Sequence, residues 1–455
     1  MADYQKIFKA YDIRGVVPDE LDEAAAEVIG AGFARLTGAP ALVTAHDMRT
    51  SSPALEQAFA RGAAAQGADV ISAGLGSTDL LYYASGALDI PGAMITASHN
   101  PARYNGIKLC RSGARPVGAQ TGLTELAVLA AAGVPAGDLA PGTITGRELL
   151  PGYAAHLRSL VDISGIRPLK VAVDAGNGMA GLTVPTVLAG LPVEVVPLYF
   201  ELDGSFPNHE PNPIDPRNLT DLQRAVVKNG ADLGLAFDGD ADRCFVVDER
   251  GEIVSPSVLT ALIAVRELAR EPGATIIHNL ITSRAVPEIV TEHGGTPVRT
   301  RVGHSFIKAR MAETGAVFGG EHSGHFYFRD FWRADSGMLA ALHVLAAAGA
   351  TSQPLSGLLA AYARYQSSGE INSEVADQAA ATAAIAAAYL GQPGVSTDDL
   401  DGLTVSGPNW WFNVRPSNTE PLLRLNVEAA SAATLDRVTA AVLDIVRSGE
   451  SPARP

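Results

Sequence analysis

Cysteine, positive charge and long apolar runs are all scarce in this chain of 455 residues. Its two cysteines, Cys110 and Cys244, are too few for a disulfide framework, so we expect two reduced thiols in a cytoplasmic protein. The formal net charge of −15 argues against nucleic acid or an anionic membrane surface as the main partner. No apolar run approaches the roughly 20 residues that a membrane span needs, and residues 1–9 lack the apolar core of a signal peptide.

The composition is that of a folded protein with a large core, since 47% of its residues are hydrophobic and 18% are charged. Strand and helix signals alternate along most of the chain, which predicts βαβ units and a largely parallel or mixed sheet. Residues 133–146 are rich in glycine and proline and are predicted to form a linker. We expect four domains, at 1–148, 149–252, 253–365 and 366–455. The first three are α/β blocks of similar size and could be structural repeats, and the fourth is a small α+β domain.

A hydroxyl-bearing loop follows a short apolar strand at residues 92–96. The chain there reads I-T-A-S-H-N-P, and Asn100-Pro101 breaks it just after Ser98. A hydroxyl held at the end of a strand is a candidate nucleophile or phosphate carrier. Serines are also common in turns, where they bond their own backbone, so the loop alone leaves both interpretations open.

The acidic loop D-G-D-A-D-R occupies residues 238–243. Its three aspartates, Asp238, Asp240 and Asp242, stand at alternate positions and are predicted to share one side of an extended segment. Clustered carboxylate oxygens suit a hard divalent cation, Mg²⁺ first. Arg243 follows directly, and a metal with a guanidinium is a phosphate-handling pair. A solvated acidic turn is the alternative.

Residues 319–325 read G-G-E-H-S-G-H after a strand-like segment. Glu321, Ser323 and His325 place a carboxylate, a hydroxyl and an imidazole close together, which suits the several directional hydrogen bonds of a sugar. The alternative is a polar loop whose side chains cap its own backbone.

Three further segments carry a cation. Arg415 opens R-P-S-N-T-E-P at 415–421, where hydroxyls, an amide and tight-turn N–H groups could form an anion cradle or an ordinary turn. Y-D-I-R-G at 11–15 and Y-N-G-I-K at 104–108 each place a cation, Arg14 and Lys108, near a predicted turn. A surface salt bridge is the favoured explanation for either cation taken alone.

A glycine-rich segment, D-A-G-N-G-M-A-G at 174–181, contains a literal G-x-G-x-x-G between a strand and a helix. A dinucleotide site is the less favoured interpretation, because glycine-rich turns between strand and helix are common.

Taken together, these motifs resemble those of the α-D-phosphohexomutase family, most closely its phosphomannomutase/phosphoglucomutase branch. The resemblance covers nearly the whole chain, with at least one motif in each block and in the family's order. It implies an α/β fold of three topologically related α/β domains plus a smaller C-terminal α+β domain around a central active-site cleft. These domains would carry the phosphoserine, metal-binding, sugar-recognition and phosphate-binding loops in turn.

By that resemblance, Ser98 is a phosphoserine that donates and recovers the phosphoryl group. Its phosphate would bind Mg²⁺ together with Asp238, Asp240 and Asp242. Arg14, Lys108 and His99 would act at the reacting end as catalytic residues. The substrate-binding residues implied are Tyr11, Arg243, His304, Glu321, Ser323, His325, Arg415, Ser417, Asn418 and Thr419.

The activity implied is the reversible conversion of hexose 1-phosphate and hexose 6-phosphate, for mannose and also glucose, through a bound 1,6-bisphosphate. Glucose or mannose 1,6-bisphosphate would serve as activator. The expected partners are small hexose phosphates, and we expect a monomer or dimer. A Mg²⁺-dependent sugar-phosphate phosphatase that uses the same serine is the alternative, and a non-catalytic sugar-phosphate-binding protein is a third.

One position departs from the branch pattern. Branch members often carry a lysine shortly after the first strand of the third domain, where this chain has N-L-I-T at 279–282. Arg284 or Lys308 is expected to substitute, or else the sugar end is bound differently. His322 favours mannose or glucose phosphates over glucosamine phosphate, for which glutamine is usual at this position.

Overall fold

The computed structural model describes residues 3–137, 139–416 and 422–448. The first sheet has the strand order β1-β5-β4-β2-β3-β7, with β6 paired to β5. Its elements are α1 (Tyr4–Ile7), β1 (Ile13–Val16), α2 (Glu23–Thr37), β2 (Ala41–His46), α3 (Ser52–Ala65), β3 (Asp69–Leu75), α4 (Thr78–Leu88), β4 (Gly92–Ile95), β5 (Tyr104–Arg111), β6 (Arg115–Pro116), α5 (Leu123–Ala132) and β7 (Ile144–Gly146).

The second sheet has the order β12-β11-β10-β8-β9. Its elements are α6 (Leu150–Leu160), β8 (Leu169–Asp174), α7 (Ala180–Val187), β9 (Val193–Leu198), α8 (Thr220–Asn229), β10 (Leu233–Phe237), β11 (Cys244–Asp248) and β12 (Ile253–Val254). The third sheet has the order β14-β13-β15-β16-β17. Its elements are α9 (Pro256–Arg270), β13 (Thr275–Asn279), α10 (Ala285–Glu292), β14 (Thr296–Thr300), α11 (His304–Thr314), β15 (Phe318–Gly320), β16 (Phe326–Phe328), β17 (Ala334–Asp335), α12 (Gly337–Gly349) and α13 (Leu355–Leu359).

The fourth sheet is antiparallel, with the order β18-β22-β21-β20-β19. Its elements are β18 (Gln366–Glu374), α14 (Gln378–Tyr389), β19 (Ser396–Asp398), β20 (Leu403–Ser406), β21 (Trp410–Pro416), β22 (Leu422–Ala429) and α15 (Ala432–Ser448). The expected fold class of three related α/β units and a smaller α+β unit is confirmed. The exact domain boundaries stay a prediction.

The first three sheets repeat one arrangement of four strands. In chain order these strands are β2 to β5, β8 to β11 and β13 to β16. In each set, the first strand lies between the second and the third and is parallel to both, and the fourth is antiparallel to the third. The antiparallel pairs are β4 with β5, β10 with β11, and β15 with β16. The loop between the third and fourth strands therefore has the same topological position in every repeat.

Local chemistry sets several element ends. Helical spacing predicts a helix over residues 19–36, but the helix begins only at Glu23, because the Asp22 carboxylate accepts the N–H of Ala25 as an N-cap. The helix ends at Gly38, whose φ of +60° gives the left-handed C-cap. The prediction of a linker over 133–146 is wrong for its last three residues, because they form strand β7, which pairs in parallel with β3.

The core explains why the first three blocks hold together. One cluster of buried apolar side chains runs through all three, including Met94, Val171 and Leu342. The fourth block has its own cluster, centred on Phe412 and Val442. Because burial of apolar surface drives folding, the first three blocks are expected to unfold together and the fourth more independently.

Candidate active site

Equivalent loops of the three α/β repeats come together at one place. They are residues 96–103 after β4, 238–243 after β10 and 321–325 after β15. The first two meet where the Ser98 hydroxyl donates a hydrogen bond to Asp238. The second and third meet where Arg243 and His325 form an isolated antiparallel bridge. The repeated topology thus gathers motifs that are more than 200 residues apart in the chain.

Ser98 is held in a buried and strained position. Only 2% of the residue is exposed, and its φ of +51° lies in the left-handed region that few non-glycine residues occupy. Its N–H donates to Thr96 Oγ1 at 2.9 Å, and its hydroxyl donates to Asp238 Oδ2 at 2.8 Å. Gly239 lies so close that a Cβ there would be 2.4 Å from the Ser98 carbonyl oxygen. Gly239 therefore allows the acidic loop at 238–243, the proposed metal loop, to approach Ser98.

The three aspartates, Asp238, Asp240 and Asp242, are buried together, with carboxylate oxygens within 4.8 Å of one another. The expectation of an extended segment is wrong. The Ala241 N–H bonds the Asp238 carbonyl, and Ala241 has a φ of +60°, so the loop curls and the carboxylates converge. Burial raises the pKa of Asp238, and the charges of Asp242 and Asp240 raise it further.

Two oxygens of this cluster have no hydrogen-bond partner in the part of the chain that the structure describes. They are Asp240 Oδ1 and Asp242 Oδ1, both buried. A buried acceptor without a partner is costly, whereas carboxylate oxygens are the ligands that Mg²⁺ prefers. The donor set therefore fits a hard divalent cation.

Lys108 and Arg14 lie on paired strands with turns at their ends. Arg14 of β1 pairs with Gly106 of β5, two residues from Lys108. The Lys108 ammonium lies 2.7 Å from Asp240 Oδ2 and 2.6 Å from Asp242 Oδ2, which are both buried. Although burial opposes it, these two carboxylates raise the pKa of Lys108. A surface salt bridge is therefore the wrong explanation for Lys108.

Further cations surround the Ser98 loop. Arg14 Nη1 donates to Asn100 Oδ1 at 2.6 Å. Arg243 Nε lies 3.3 Å from Asp238 Oδ2, and its Nη2 contacts His99 Nδ1, which is itself 3.2 Å from the Ser98 hydroxyl. Burial, then Arg243 and Arg14, lower the pKa of His99 well below its usual value. The lowered pKa favours the neutral His99 ring, which can accept a hydrogen bond.

The third loop offers a second polar surface. Ser323 Oγ lies 2.9 Å from His325 Nδ1, and His325 Nε2 lies 3.6 Å from Asp242 Oδ1. Glu321 is 3% exposed and accepts hydrogen bonds from the Tyr327 hydroxyl at 2.7 Å and the Gly303 N–H at 3.1 Å. Its carboxylate therefore connects the third loop to the turn before His304.

Arg415 and the pair Tyr11–His304 lie on the side of the site that faces the fourth block. The rings of Tyr11 and His304 are 5.0 Å apart, and burial, then Lys308, lower the pKa of His304 to about 3. Arg415 stands on β21, 3.8 Å from Glu370 and from Asp401. The predicted cradle residues Ser417, Asn418 and Thr419 lie outside the described residues.

Family models for all four domains of phosphoglucomutase/phosphomannomutase match this chain in order. The α/β/α domains I, II and III match residues 5–128, 151–251 and 256–365, and the C-terminal domain matches residues 370–445. The chain belongs to the phosphoglucomutase/phosphomannomutase family. It is a phosphohexomutase, an isomerase of sugar phosphates, and the resemblance carried by its motifs is confirmed.

Relatives of this phosphohexomutase match over nearly their whole length. A phosphomannomutase of Salmonella montevideo is 42% identical over 431 residues, 93% of this chain and 94% of the relative. A protein of Xanthomonas campestris pv. campestris named "Phosphohexose mutases" is 42% identical over 443 residues, 97% of this chain and 99% of the relative. The crystal structure of a family protein from Burkholderia thailandensis has a TM-score of 0.88 and 34% identity, covering 100% of this chain and 99% of that one.

The departure from the branch pattern has a structural explanation in this phosphohexomutase. Asn279 Nδ2 lies 3.2 Å from Glu321 Oε1 and 2.9 Å from His322 Nδ1, so it bonds the loop at 321–325 directly. Lys308 is 4% exposed, with its ammonium 2.7 Å from Asp335 and 4.2 Å from the Tyr82 ring centroid. The predicted substitute Lys308 is therefore held by protein groups.

The other predicted substitute is held in a similar way. Arg284 lies 3.9 Å from Glu288 and over the ring of Tyr365. Both candidate cations are thus engaged by neighbouring side chains, and Asn279 provides the polar contact at the departing position.

The glycine-rich segment 174–181 packs against the metal loop. A Cβ on Gly178 would lie 2.6 Å from the Gly239 carbonyl oxygen, and the Met179 N–H donates to that same oxygen. Glycine is therefore required by close packing of two backbones. The segment supports the second loop, which accounts for its glycines without a dinucleotide.

Two residues at the site escaped the sequence motifs. Thr78 donates its hydroxyl to Asp240 Oδ2 at 2.6 Å and its N–H to the Asp240 carbonyl at 3.0 Å. Arg49 donates to the Ser98 carbonyl at 2.8 Å. Both follow strands of the first parallel set, β3 and β2, whose carboxyl ends share an edge with β4. Their position just after the carboxyl ends of these strands was the sequence signal that could have identified them as site residues.

Within the described residues, no helix combines the length and the apolarity that a membrane span needs.

Proposed function

We propose that this phosphohexomutase interconverts the 1- and 6-phosphates of mannose and glucose through phosphorylated Ser98 and a bound hexose 1,6-bisphosphate. The observation that carries the proposal is the Ser98 hydroxyl 2.8 Å from Asp238, inside a ring of cations. Phosphoryl transfer needs in-line placement and neutralisation of the equatorial oxygens more than covalent help. Relatives named phosphomannomutase and phosphohexose mutases support both the reaction and the choice of sugars.

Asp238, Asp240 and Asp242, with the phosphate on Ser98, are the proposed Mg²⁺ ligands. The bound cation would neutralise charge on the transferred group. The two unpartnered carboxylate oxygens support this role. Chelation is expected to stop turnover, and added Mg²⁺ to restore it.

Lys108 and Arg14 are proposed to stabilise negative charge at the reacting end. The raised pKa of Lys108 keeps its ammonium protonated, so its positive charge can stabilise the oxygens of the transferred phosphoryl group. His99, whose lowered pKa favours the neutral ring, is proposed to line the reacting end and to accept hydrogen bonds there.

The bisphosphate must turn around between the two transfers so that its other phosphate faces Ser98. Glu321, Ser323 and His325 would contact the sugar in either orientation. Arg415, with Ser417, Asn418 and Thr419, would hold the phosphate that is not reacting. Arg415 is 3.8 Å from two carboxylates, beyond hydrogen-bond distance, which leaves its donors able to take an anion.

Ser98→Ala tests the reaction. The variant is expected to keep its fold but lose conversion of glucose 1-phosphate to glucose 6-phosphate in a coupled assay with glucose 1,6-bisphosphate. Ser159→Ala, an exposed helix serine that bonds its own helix, is the control. Full activity of folded Ser98→Ala would reject the phosphoserine mechanism.

Two further measurements refine the proposal. Release of inorganic phosphate in step with substrate loss would favour the phosphatase alternative. A comparison of kcat/KM for mannose, glucose and N-acetylglucosamine 1-phosphates decides the sugar, and we expect the first two to be preferred. The monomer or dimer state and the cytoplasmic location stay predictions.

A further inference from the structure

Arg49 is a fully buried arginine beneath the Ser98 loop. It is 1% exposed and follows β2 in the segment D-M-R at 47–49. Its Nε donates to Asp47 Oδ2 at 3.2 Å. The two terminal nitrogens donate to four backbone carbonyls: Nη2 to Ser98 at 2.8 Å and Asn100 at 2.6 Å, and Nη1 to Pro101 at 3.0 Å and Tyr104 at 2.9 Å. All five donors of the guanidinium are therefore used.

The four carbonyls belong to one stretch of chain, residues 98–104, which leads from the serine into β5. Their oxygens converge on one cation, so the loop is wound around the guanidinium. Such an arrangement can hold Ser98 at its φ of +51°, a conformation that costs about 1–3 kcal/mol unless the surroundings impose it. A lysine has three donors on a single nitrogen and cannot match this planar fork.

The second block closes over the same side chain. The Phe206 ring lies over the Arg49 guanidinium, 5.1 Å from its centroid, and a Cβ on Gly204 would be 2.5 Å from the Arg49 Cα. On the other side, the Asp47 carboxylate that accepts Nε is itself bonded by the Ser52 hydroxyl at 2.5 Å. Arg49 is thus fixed between the serine loop and the block that carries the metal loop.

We propose that Arg49 is a positioning residue that presets Ser98 for phosphoryl transfer. It acts by fixing the Ser98 carbonyl, and through it the direction of the hydroxyl toward Asp238. The inference rests on the proposed function, in which Ser98 carries the phosphoryl group. A misplacement of about 1 Å at a reacting group can cost about 100-fold in rate, which sets the scale of the expected effect.

Arg49→Lys tests this positioning because it keeps the charge and removes the fork. The readout is the single-turnover rate of Ser98 phosphorylation by glucose 1,6-bisphosphate, followed by intact mass. We expect the rate of Ser98 phosphorylation to fall about 100-fold. The kcat should fall as well, whereas KM and the Mg²⁺ affinity should not change. A folded variant phosphorylated at the wild-type rate would overturn the inference.

Arg167→Lys is the control for loss of an arginine fork at a half-buried position outside the site. Arg167 donates to the Thr351 and Pro168 carbonyls at 2.9 and 3.0 Å and to Asp232 at 2.8 Å, between the second and third blocks. It is expected to lower the unfolding temperature without slowing Ser98 phosphorylation. Equal slowing in both variants would mean that Arg49 acts only through general stability, and would overturn the proposal.

Phe206→Leu keeps the test decisive if Arg49→Lys does not fold. It removes the ring over the guanidinium and leaves all five hydrogen bonds. We expect slower phosphorylation together with faster amide hydrogen exchange in residues 98–106, and unchanged values of both would overturn the inference. If the wild-type enzyme is not phosphorylated at Ser98 at all, the proposed function fails instead, so the two failures are distinguishable.

Discussion

Thr78→Val isolates one contact between the first block and the metal loop. The Thr78 hydroxyl donates to Asp240 Oδ2 at 2.6 Å, and both residues are fully buried. Valine has nearly the same shape but lacks the hydroxyl, so the packing is kept and one hydrogen bond to a charged group is lost. The backbone bond from the Thr78 N–H to the Asp240 carbonyl, at 3.0 Å, remains.

The size of the effect follows from what still holds Asp240. A hydrogen bond to a charged group contributes about 1.5–3 kcal/mol. Lys108 stays 2.7 Å from the same oxygen, so the carboxylate keeps a cation, and we expect a loss near the lower end, about 1.5 kcal/mol of unfolding free energy. The hydroxyl also orients the ligand, and loss of such an outer partner costs about 10–100-fold in metal affinity.

Two measurements separate these effects: Mn²⁺ and Mg²⁺ affinity by calorimetry, and unfolding by urea. Thr78→Ser keeps the hydroxyl and is expected to bind metal nearly as the wild type does. Thr183→Val is the matched control, because Thr183 is a fully buried threonine whose hydroxyl bonds only its own helix, at Met179. Wild-type metal affinity in a folded Thr78→Val protein would refute the reasoning.

Three other perturbations have defined outcomes. Burial raises the pKa of Asp79 to about 6 from 3.8, so the folded state binds the extra proton and stability should decline as pH rises from about 4 to 6. Asp79→Asn should remove this decline, which amounts to up to about 3 kcal/mol of unfolding free energy. Urea unfolding at pH 4.5 and pH 7 measures it, and a pH profile unchanged by the substitution would contradict the prediction. Gly239→Ala should lower kcat about 100-fold by displacing the Ser98 carbonyl, whereas Gly146→Ala, with open space around it, should not. Treatment with EDTA should abolish turnover until Mg²⁺ is returned, and activity that survives chelation would leave the aspartates without a metal role.

Most elements with a clear pattern were predicted well, including the buried strand β4, but one fully buried helix was missed. The sequence pattern predicts a helix over 256–270 and a strand over 296–300, and helix α9 (Pro256–Arg270) and strand β14 (Thr296–Thr300) have these bounds. Helix α12 (Gly337–Gly349) was missed because all of its residues are buried, which leaves no alternation of polar and apolar faces to detect. Strand β1 was not predicted, because a four-residue edge strand owes its conformation to pairing with β5.

The sequence by itself determined the chemistry that contiguous residues carry. The acidic loop 238–243 keeps its three carboxylates close in any compact conformation, because they are never more than four residues apart. The loops at 98 and 321–325 could be recognised in the same way. Their order along the chain was enough to indicate the family.

Only the tertiary structure decided which partners these loops have. The Ser98 hydroxyl meets Asp238 across 140 positions, and Thr78 meets Asp240 across 162. Arg49 could not be recognised as a site residue from the sequence, because it donates hydrogen bonds to backbone carbonyls and every residue type has a carbonyl. Such contacts depend on which strand ends share a sheet edge, and that is settled by long-range strand pairing rather than by the residues of any one segment.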